Sequence, residues 1–286
     1  MINKRTTASF CLCGDGWGAI AALDGLALCY TDVVVVTNDE EVIECALIKG
    51  FRVASDLMLV DANLYLCAGL TQIIKKEFLD NHRVLNIHYS LLPKYRGLHS
   101  TVWAILNDEQ FFGLSIHEMN EYIDDGPILY QHRFKNIGQT SLEVMETCNE
   151  HISKNLSVII SDIQKGNLVP VDQNKAEATW VCKRNLDDCL IDFDQKVDQI
   201  RLLFRALVEP YPLPRILVKE QLVEIVRSEL VASSYFMHNG RVVNIEDEKA
   251  WIKVDDGFIV VSSVRDAITK EYFRISGLFK LGQRLK

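Results

Sequence analysis

The chain has 286 residues, of which 48% are apolar, 24% charged and 9% aromatic. That composition excludes disordered, collagen-like and coiled-coil chains, and the length suits either one large domain or a domain of about 200 residues with a smaller companion. The net charge of −8, from 31 basic and 39 acidic side chains, argues against general nucleic-acid binding, which depends on neutralising phosphates.

No uncharged apolar run reaches the roughly 18–20 residues of a membrane span. The start, Met1-Ile2-Asn3-Lys4-Arg5, lacks both an apolar h-region and a small-residue cleavage site. A cytoplasmic protein with no membrane partner is expected. The charge is uneven along the chain: residues 1–199 carry 17 basic and 28 acidic side chains, net −11, and residues 200–286 carry 14 and 11, net +3. In the tail the basic residues are interleaved with acids, so no basic face is expected there.

In chain order, residues 9–13 read as a buried strand followed by the turn Gly14-Asp15-Gly16-Trp17-Gly18, then a helix over 19–30. Residues 32–37 (D-V-V-V-V-T) form a nearly continuous β-branched run, the pattern of a strand covered on both faces. A helix over 40–50, strands over 51–54, 64–68 and 84–88, and a helix around 72–79 continue the alternation. Strands alternating with short helices predict an α/β domain: an open, mostly parallel, Rossmann-like sheet with helices on both faces. The Gly14–Gly18 run is not G-x-G-x-x-G, although Asp39 and Glu40 follow at about the right distance for a dinucleotide site. A tight strand-to-helix turn without a dinucleotide is the preferred reading.

Residues 140–166 are a long amphipathic pattern, with Thr140 as N-cap, Glu143 three residues later and Gly166 as the stop. Residues 167–178 are polar and read as surface linker. A helix over 197–207 ends before Glu209-Pro210-Tyr211-Pro212-Leu213-Pro214. Beyond it, strands are predicted at 221–226, 241–245, 250–254 and 258–264, with Asn239-Gly240 and Asp256-Gly257 as hairpin turns. The expected organisation is a catalytic domain at 1–180, a linker and helix at 181–214, and a small β-rich, barrel-like domain at 215–286. The exposed strands of that tail offer edges for a homodimer.

The eight cysteines form no C-x-x-C pair and, with the histidines, no zinc spacing. Several lie in apolar runs such as Phe10-Cys11-Leu12-Cys13, where a reduced thiol is a small core hydrophobe, and a reducing compartment follows. No metal is expected.

The chemistry concentrates in two stretches. In residues 84–97, V-L-N-I-H-Y-S-L-L-P-K-Y-R-G, strand alternation puts Asn86 and His88 on one side of the chain. Ser90 and a proline loop follow, beyond the carboxyl end of a strand, where ligands bind in open α/β sheets. In residues 112–128, F-G-L-S-I-H-E-M-N-E-Y-I-D-D-G-P-I, the acids Asp124 and Asp125 precede Gly126-Pro127. Spacing leaves open whether either acid is more than a turn former.

The run Asn86-Ile87-His88-Tyr89-Ser90-Leu91-Leu92-Pro93 with Arg96-Gly97, then Asp124-Asp125-Gly126, resembles the folate-dependent formyltransferase family, with its N-x-H-x-S-L-L-P-x-x-R-G strand and loop and a later D-x-G turn. The likeness continues through Gly166-Asn167-Leu168-Val169-Pro170, Gln173, Trp180-Val181-Cys182-Lys183-Arg184, Arg205-Ala206-Leu207 and Pro210-Tyr211-Pro212, covering roughly residues 60–215. It departs at the N-terminal turn, where Gly14–Gly18 replaces the family's usual G-T-x-x-F-A type, and in its short tail.

The resemblance implies a catalytic trio of Asn86, His88 and Asp124, the last being the first acid of D-x-G. It implies 10-formyltetrahydrofolate as cosubstrate and an amine acceptor. Asn86 would donate a hydrogen bond to the tetrahedral oxyanion, and His88 would accept the amine's proton. Asp124 would orient the imidazole or relay the proton through water. By analogy the pterin lies against Gly69, Leu70 and Thr71 and the loop carrying Met119, Asn120 and Ile123.

Among the family's acceptors, the low basicity favours a compact nucleotide-linked amino sugar, of the dTDP-4-amino-4,6-dideoxyhexose type used in surface polysaccharides. Ser90, Lys94, Arg96, Lys183, Arg184 and Arg205 are the expected polar contacts, with Trp180 or Tyr211 to stack a base. The alternatives are a methionyl-tRNA formyltransferase, a silent folate- or nucleotide-binding module, and formylation of an unphosphorylated amine in siderophore synthesis.

Overall fold

The computed structural model describes residues 6–285, so the N-terminal segment read above for a leader lies outside the described residues. The chain forms two compact units. One comprises residues up to Thr101 with Gln110–Asn136 and Glu143–Cys182; the other comprises Val102–Glu109, Ile137–Leu142 and the chain from Lys183 onward.

The first unit is built from β1 (Thr6–Cys13), α1 (Gly16–Ala27), β2 (Val33–Val36), α2 (Glu40–Ile48), β3 (Arg52–Ala54), β4 (Val60–Ala68), α3 (Lys76–Leu79), β5 (Val84–His88) and β6 (Arg96–Gly97). α4 (Ser100–Leu106), most of which belongs to the second unit, leads on to β7 (Phe111–Glu118), β8 (Ile128–Lys135), α5 (Ser141–Gln164) and β9 (Trp180–Val181) of the first. Seven strands form one sheet in the order β3-β2-β1-β4-β5-β7-β8. β1 to β5 are mutually parallel, and β7 is antiparallel to both β5 and β8.

The parallel strands are apolar on both faces because both faces are covered. Val33, Val34 and Val35 of β2 and Leu64 to Ala68 of β4 are buried, each large aliphatic among them stabilising by about 1.5–3 kcal/mol. One face carries Cys11, Cys13, Val34, Tyr65, Cys67, Phe78 and Val84 as a single cluster. Cys11, Cys13, Cys67, Cys148 and Cys189 are buried, as core thiols should be. Gly25 of α1 allows a close helix crossing, since a Cβ there would lie 2.7 Å from the Ile152 carbonyl oxygen and 2.8 Å from the Leu156 Cβ on α5.

The Gly14–Gly18 turn brings the chain from β1 to α1 against the end of β4. Gly14, at φ +154°, has no room for a side chain, because a Cβ would fall 1.7 Å from the Ala68 carbonyl oxygen. Asp39, the acid weighed for a dinucleotide, instead caps α2 through the Glu41 and Val42 N–H groups and accepts the Gly16 N–H at 2.8 Å. The turn is held by the protein itself.

The second unit contains α6 (Val197–Ala206), β10 (Arg215–Val218), β11 (Gln221–Ala232), β12 (Val242–Glu246), β13 (Lys249–Val254), β14 (Gly257–Asp266), β15 (Tyr272–Phe273) and α7 (Ile275–Leu278). Its antiparallel sheet runs β10-β11-β14-β13-β12, with β15 on β14. The helix expected as part of a linker belongs here: Val197, Ile200 and Leu203 of α6 pack into the same core as Ile216, Val223, Ile252 and Val261.

Asp255-Asp256 turns β13 into β14, with Val254 paired to Gly257. Asn239-Gly240 is not a hairpin turn, because it lies between β11 and β12, which are not neighbours in the sheet. The other tight hairpins use Lys219-Glu220 and Asp247-Glu248, all four with φ between 43° and 55°. Left-handed residues of this kind close hairpins without the glycine that a sequence reading looks for. Among the described residues no helix is long and apolar enough to cross a membrane.

Candidate active site

β5 delivers Asn86 and His88 to the carboxyl end of the parallel sheet, and its antiparallel neighbour β7 sets His117 opposite Asn86 and Ser115 opposite His88. The following loop is folded back by hydroxyls directed at the main chain. Ser90 Oγ donates to the Lys94 carbonyl at 2.7 Å, and Ser115 Oγ donates to the Ser90 carbonyl at 2.7 Å while accepting the Leu92 N–H. Gln131 Nε2 adds bonds to the Leu92 carbonyl and Ser115 Oγ. Ser90 is therefore buried in the loop's own bonding, not offered to an acceptor.

The fold-back brings the Tyr95 carbonyl to 2.9 Å from His88 Nε2. A carbonyl only accepts, so Nε2 carries the hydrogen and Nδ1 is left as the basic nitrogen. Nδ1 lies 3.7 Å from Asp124 Oδ2. That carboxylate also accepts the Gly97 N–H at 2.8 Å and an Asn86 Nδ2 hydrogen at 3.2 Å. The trio expected from the sequence meets at one point, within the first unit.

His117 joins it, a residue the sequence reading passed over. It is 1% exposed, with Nδ1 2.8 Å from the Glu118 carbonyl and Nε2 3.2 Å from Asn86 Nδ2 and 3.3 Å from Asp124 Oδ1. Nδ1 therefore donates, and Nε2 accepts from Asn86 in the neutral ring or donates to Asp124 in the cation. Alternation along β7 puts Ser115 and His117 on one face, and that was the available signal. With His117 neutral both Asn86 amide hydrogens are engaged at 3.2 Å, so donation to a reacting oxygen exchanges one of these contacts.

Burial pushes the Asp124 carboxyl up, but the His117 hydrogen bond, the nearby His88 and the Gly97 N–H outweigh it and bring it down to about 2. Burial pushes His88 down, opposed by Asp124 and by the Tyr95 carbonyl, with His117 adding to the fall. At neutral pH the pair is a carboxylate facing a neutral imidazole whose lone pair is aimed at it. A proton arriving on Nδ1 turns that contact into an ion pair.

Asp125 points elsewhere and forms an ion pair with Arg96 at 2.5 Å. Arg96 is 3% exposed, and its other nitrogens donate to Gln173 Oε1 at 3.2 and 2.6 Å. Arg96 therefore braces the interior instead of anchoring an anion from solvent. The expected folate contacts divide in two. Leu70 and Met119 pack on the cluster around Tyr65 and Phe78, and Met119 N–H donates to the Val84 carbonyl. Gly69 is in the left-handed region and abuts the Asp15 carbonyl oxygen. Asn120 Oδ1 accepts the Tyr122 N–H in a tight turn, and Ile123 and Tyr122 stand 62% and 64% exposed just before Asp124. Thr71 and Lys94 are exposed.

Trp180 is 67% exposed on β9, which pairs with β6, and the Arg96 guanidinium lies 5.6 Å from its ring centre. Lys183, Arg184, Arg205 and Tyr211 belong to the second unit. There Arg184 bonds the Asp188 carbonyl and lies over Trp103, Arg205 donates twice to the Gln139 carbonyl, and burial pushes the Tyr211 phenol up. Glu209 pairs with Arg265. Among the described residues no group of three or more His, Cys, Asp or Glu side chains is placed to hold a metal ion.

Two family profiles match the chain: formyl transferase over residues 33–159 and the formyl transferase C-terminal domain over residues 184–273. A methionyl-tRNA formyltransferase of Finegoldia magna is 28% identical over 197 residues, which cover 68% of this chain and 63% of that enzyme, so the chain spans less than two thirds of that relative's length. A methionyl-tRNA formyltransferase of Clostridium acetobutylicum is 25% identical over 84% of this chain and 78% of its own.

Among solved structures, the N-formyltransferase of Helicobacter canadensis, crystallised with folinic acid and dTDP-3-aminofucose, superposes with a TM-score of 0.66 at 20% identity, covering 89% of this chain and 99% of that one. HypX of Aquifex aeolicus in complex with tetrahydrofolic acid gives 0.65 at 18% identity, covering 93% of this chain and 45% of that one. With both profiles matched in order and the N-x-H and D-x-G residues assembled at one strand end, the chain belongs to the folate-dependent formyltransferase family.

Proposed function

We propose that the protein transfers the formyl group of 10-formyltetrahydrofolate to the amine of a nucleotide-linked amino sugar, of the dTDP type, for surface polysaccharide synthesis. The observation that carries formyl transfer is the meeting of Asn86, His88 and Asp124 at the carboxyl end of β5, with His88 Nδ1 as the one ring nitrogen not bonded to main chain. The acceptor nitrogen attacks the formyl carbon, forming a new C–N bond. His88 Nδ1 takes a proton from that nitrogen as it becomes cationic. Asp124, already ionised, stabilises the resulting imidazolium, and an Asn86 amide N–H redirects its hydrogen bond to the developing oxyanion, which collapses back to the carbonyl as the donor leaves. Breakage of the bond to N10 and return of the proton to that nitrogen complete the balance.

The donor's place is supported by Tyr122 and Ile123, exposed beside Asp124, and by the apolar cluster under Leu70 and Met119. A flat heteroaromatic needs such surfaces together with main-chain polar groups, and a loop that spends Asn120 on its own turn offers both.

The nucleotide-sugar acceptor is supported by the acidity of residues 1–199, net −11, and by the exposed Trp180 ring beside the strand whose Gly97 holds Asp124. A compact diphosphate needs few cations and an aromatic face suits its base, whereas a tRNA needs many phosphate contacts. The second reading, a methionyl-tRNA formyltransferase, is favoured by the names of the relatives from Finegoldia magna and Clostridium acetobutylicum. Incubation with 10-formyltetrahydrofolate, a panel of amino-sugar nucleotides and charged initiator tRNA, read by mass spectrometry, separates the two. Formylation of a sugar nucleotide supports the proposal, and formylation of the methionine alone replaces its acceptor.

A further inference from the structure

We infer that Gln173 is a positioning residue for the reaction: its amide holds the Asp124-Asp125-Gly126 turn so that Asp124, and not Asp125, faces His88. The inference rests on the formyl-transfer reading of the site and adds to it a residue outside the trio.

Gln173 comes from the polar segment after α5 and is buried. All its hydrogen-bonding capacity is directed at the turn and its brace. Nε2 donates to the Asp124 and Gly126 carbonyls, each at 2.7 Å, and Oε1 accepts two Arg96 N–H groups. Arg96 in turn neutralises Asp125. One side chain thus clamps the main chain on both sides of Asp125 and aims the cation that removes Asp125 from competition. Two carboxylates in sequence are otherwise close to interchangeable in reach, and both would bias a nearby imidazole.

The clamp has something to hold. Asp124 has φ +49°, a left-handed conformation uncommon for non-glycine residues, which a hold on its main chain helps to keep. From the other side, Gly126 packs so tightly that a Cβ would lie 1.8 Å from the Glu118 carbonyl oxygen. The Gln173 bonds are the side-chain contacts that reach the turn's main chain at Asp124 itself. Its functional consequence is geometric: displacement of the carboxylate by an ångström weakens its hold on His88 Nδ1 and misaligns it, and such misplacement costs about 100-fold in rate.

The test uses Gln173→Met, which keeps the length and removes every polar contact, and Gln173→Glu, which keeps an acceptor for Arg96 and sets a carboxylate against two carbonyls. Thermal melting, KM for the folate donor, kcat, and the titration of the His88 imidazole by NMR are measured in each. The expected result is a folded protein with KM within about twofold and kcat lower by about 10- to 100-fold. In Gln173→Met the His88 titration moves to lower pH, because the carboxylate that raises it has moved away.

Wild-type kcat with an unmoved His88 titration in both folded variants overturns the inference. So does failure of both to fold, which would make Gln173 a folding residue only. The NMR titration does not need turnover. A wild-type protein that transfers no formyl group therefore sinks the proposed function, while the shift of His88 still decides the role of Gln173.

Discussion

His88 Nδ1 and Asp124 Oδ2 face each other at 3.7 Å, a separation just beyond a hydrogen bond, with no hydrogen of the neutral ring between them. The Tyr95 carbonyl enforces this by holding the ring's hydrogen on Nε2. The contact is unfavourable to the neutral ring and favourable to its cation, and a proton acceptor in catalysis benefits from that difference.

Replacing His88 by Asn removes the base while keeping a polar group of similar reach. The expected outcome is a fall in kcat of about 10²–10⁴-fold. Folate affinity, followed by fluorescence quenching, stays within a few-fold, since the donor's expected contacts lie on other residues. Turnover above a tenth of wild type would remove His88 from the mechanism.

The pH dependence follows from the two shifts. The His88 pKa lies below its ordinary 6.5, so the neutral base accumulates, and kcat/KM rises, as pH climbs through a midpoint below that value. Asp124, at about 2, stays ionised over the whole accessible range and adds no second limb. For stability, the unfolded chain binds more protons at His88 than the folded one between its folded pKa and 6.5. The neutral-histidine contribution is thus complete above pH 6.5 and is lost as pH falls toward the folded value. Asp124 contributes above its unfolded pKa, and that part is lost only as pH falls through about 2. A kcat/KM profile centred above pH 7 would contradict this assignment.

Asp124→Asn and Asp124→Ala separate charge from backbone conformation. Both lose the negative charge opposite His88, and both are expected to reduce kcat by at least about 100-fold. Asparagine tolerates the left-handed conformation and alanine does not, so only the alanine variant carries a further loss of about 1–2 kcal/mol in denaturant unfolding. Equal stability of the two would mean that φ +49° at residue 124 is not imposed by the fold.

Gly126→Ala is expected to be among the most damaging single changes near the site. The added Cβ meets the Glu118 carbonyl oxygen at 1.8 Å, a main-chain atom of β7 that cannot swing away. The turn must shift, and with it Asp124. A loss of about 2–4 kcal/mol and a parallel fall in kcat are expected, measured by urea unfolding and steady-state kinetics. A variant of unchanged stability would show that the turn is looser than described.

Trp180→Ala tests the acceptor. With 67% of Trp180 exposed, little core packing is lost. Loss of base stacking, worth about 1–3 kcal/mol, raises KM for a sugar nucleotide by about 5- to 100-fold and leaves kcat nearly unchanged. An unaltered KM would remove Trp180 from the acceptor site.

The sequence by itself determined the parts that depend on local pattern. Continuous β-branched runs such as Val33–Val36 marked strands covered on both faces, and period-two alternation put Asn86 and His88 on one side of β5. Those signals survive because hydrophobic periodicity and strand geometry are set over a few residues.

Only the tertiary structure decided how the site is wired. Alternation marks the face His117 occupies, but its importance comes from register, a pairing across 31 positions with Asn86. The sequence offers Arg96 as a contact for the acceptor, yet long-range contacts with Asp125 and Gln173 bury it. Lys183, Arg184, Arg205 and Tyr211 follow the catalytic motifs in sequence but fold with the second unit, where Arg184 and Arg205 bond the Asp188 and Gln139 carbonyls. The resemblance singled out Asp124 as the first acid of D-x-G, but the physical difference between it and Asp125 lies in the partners the fold brings to each: His88 for one, Arg96 for the other.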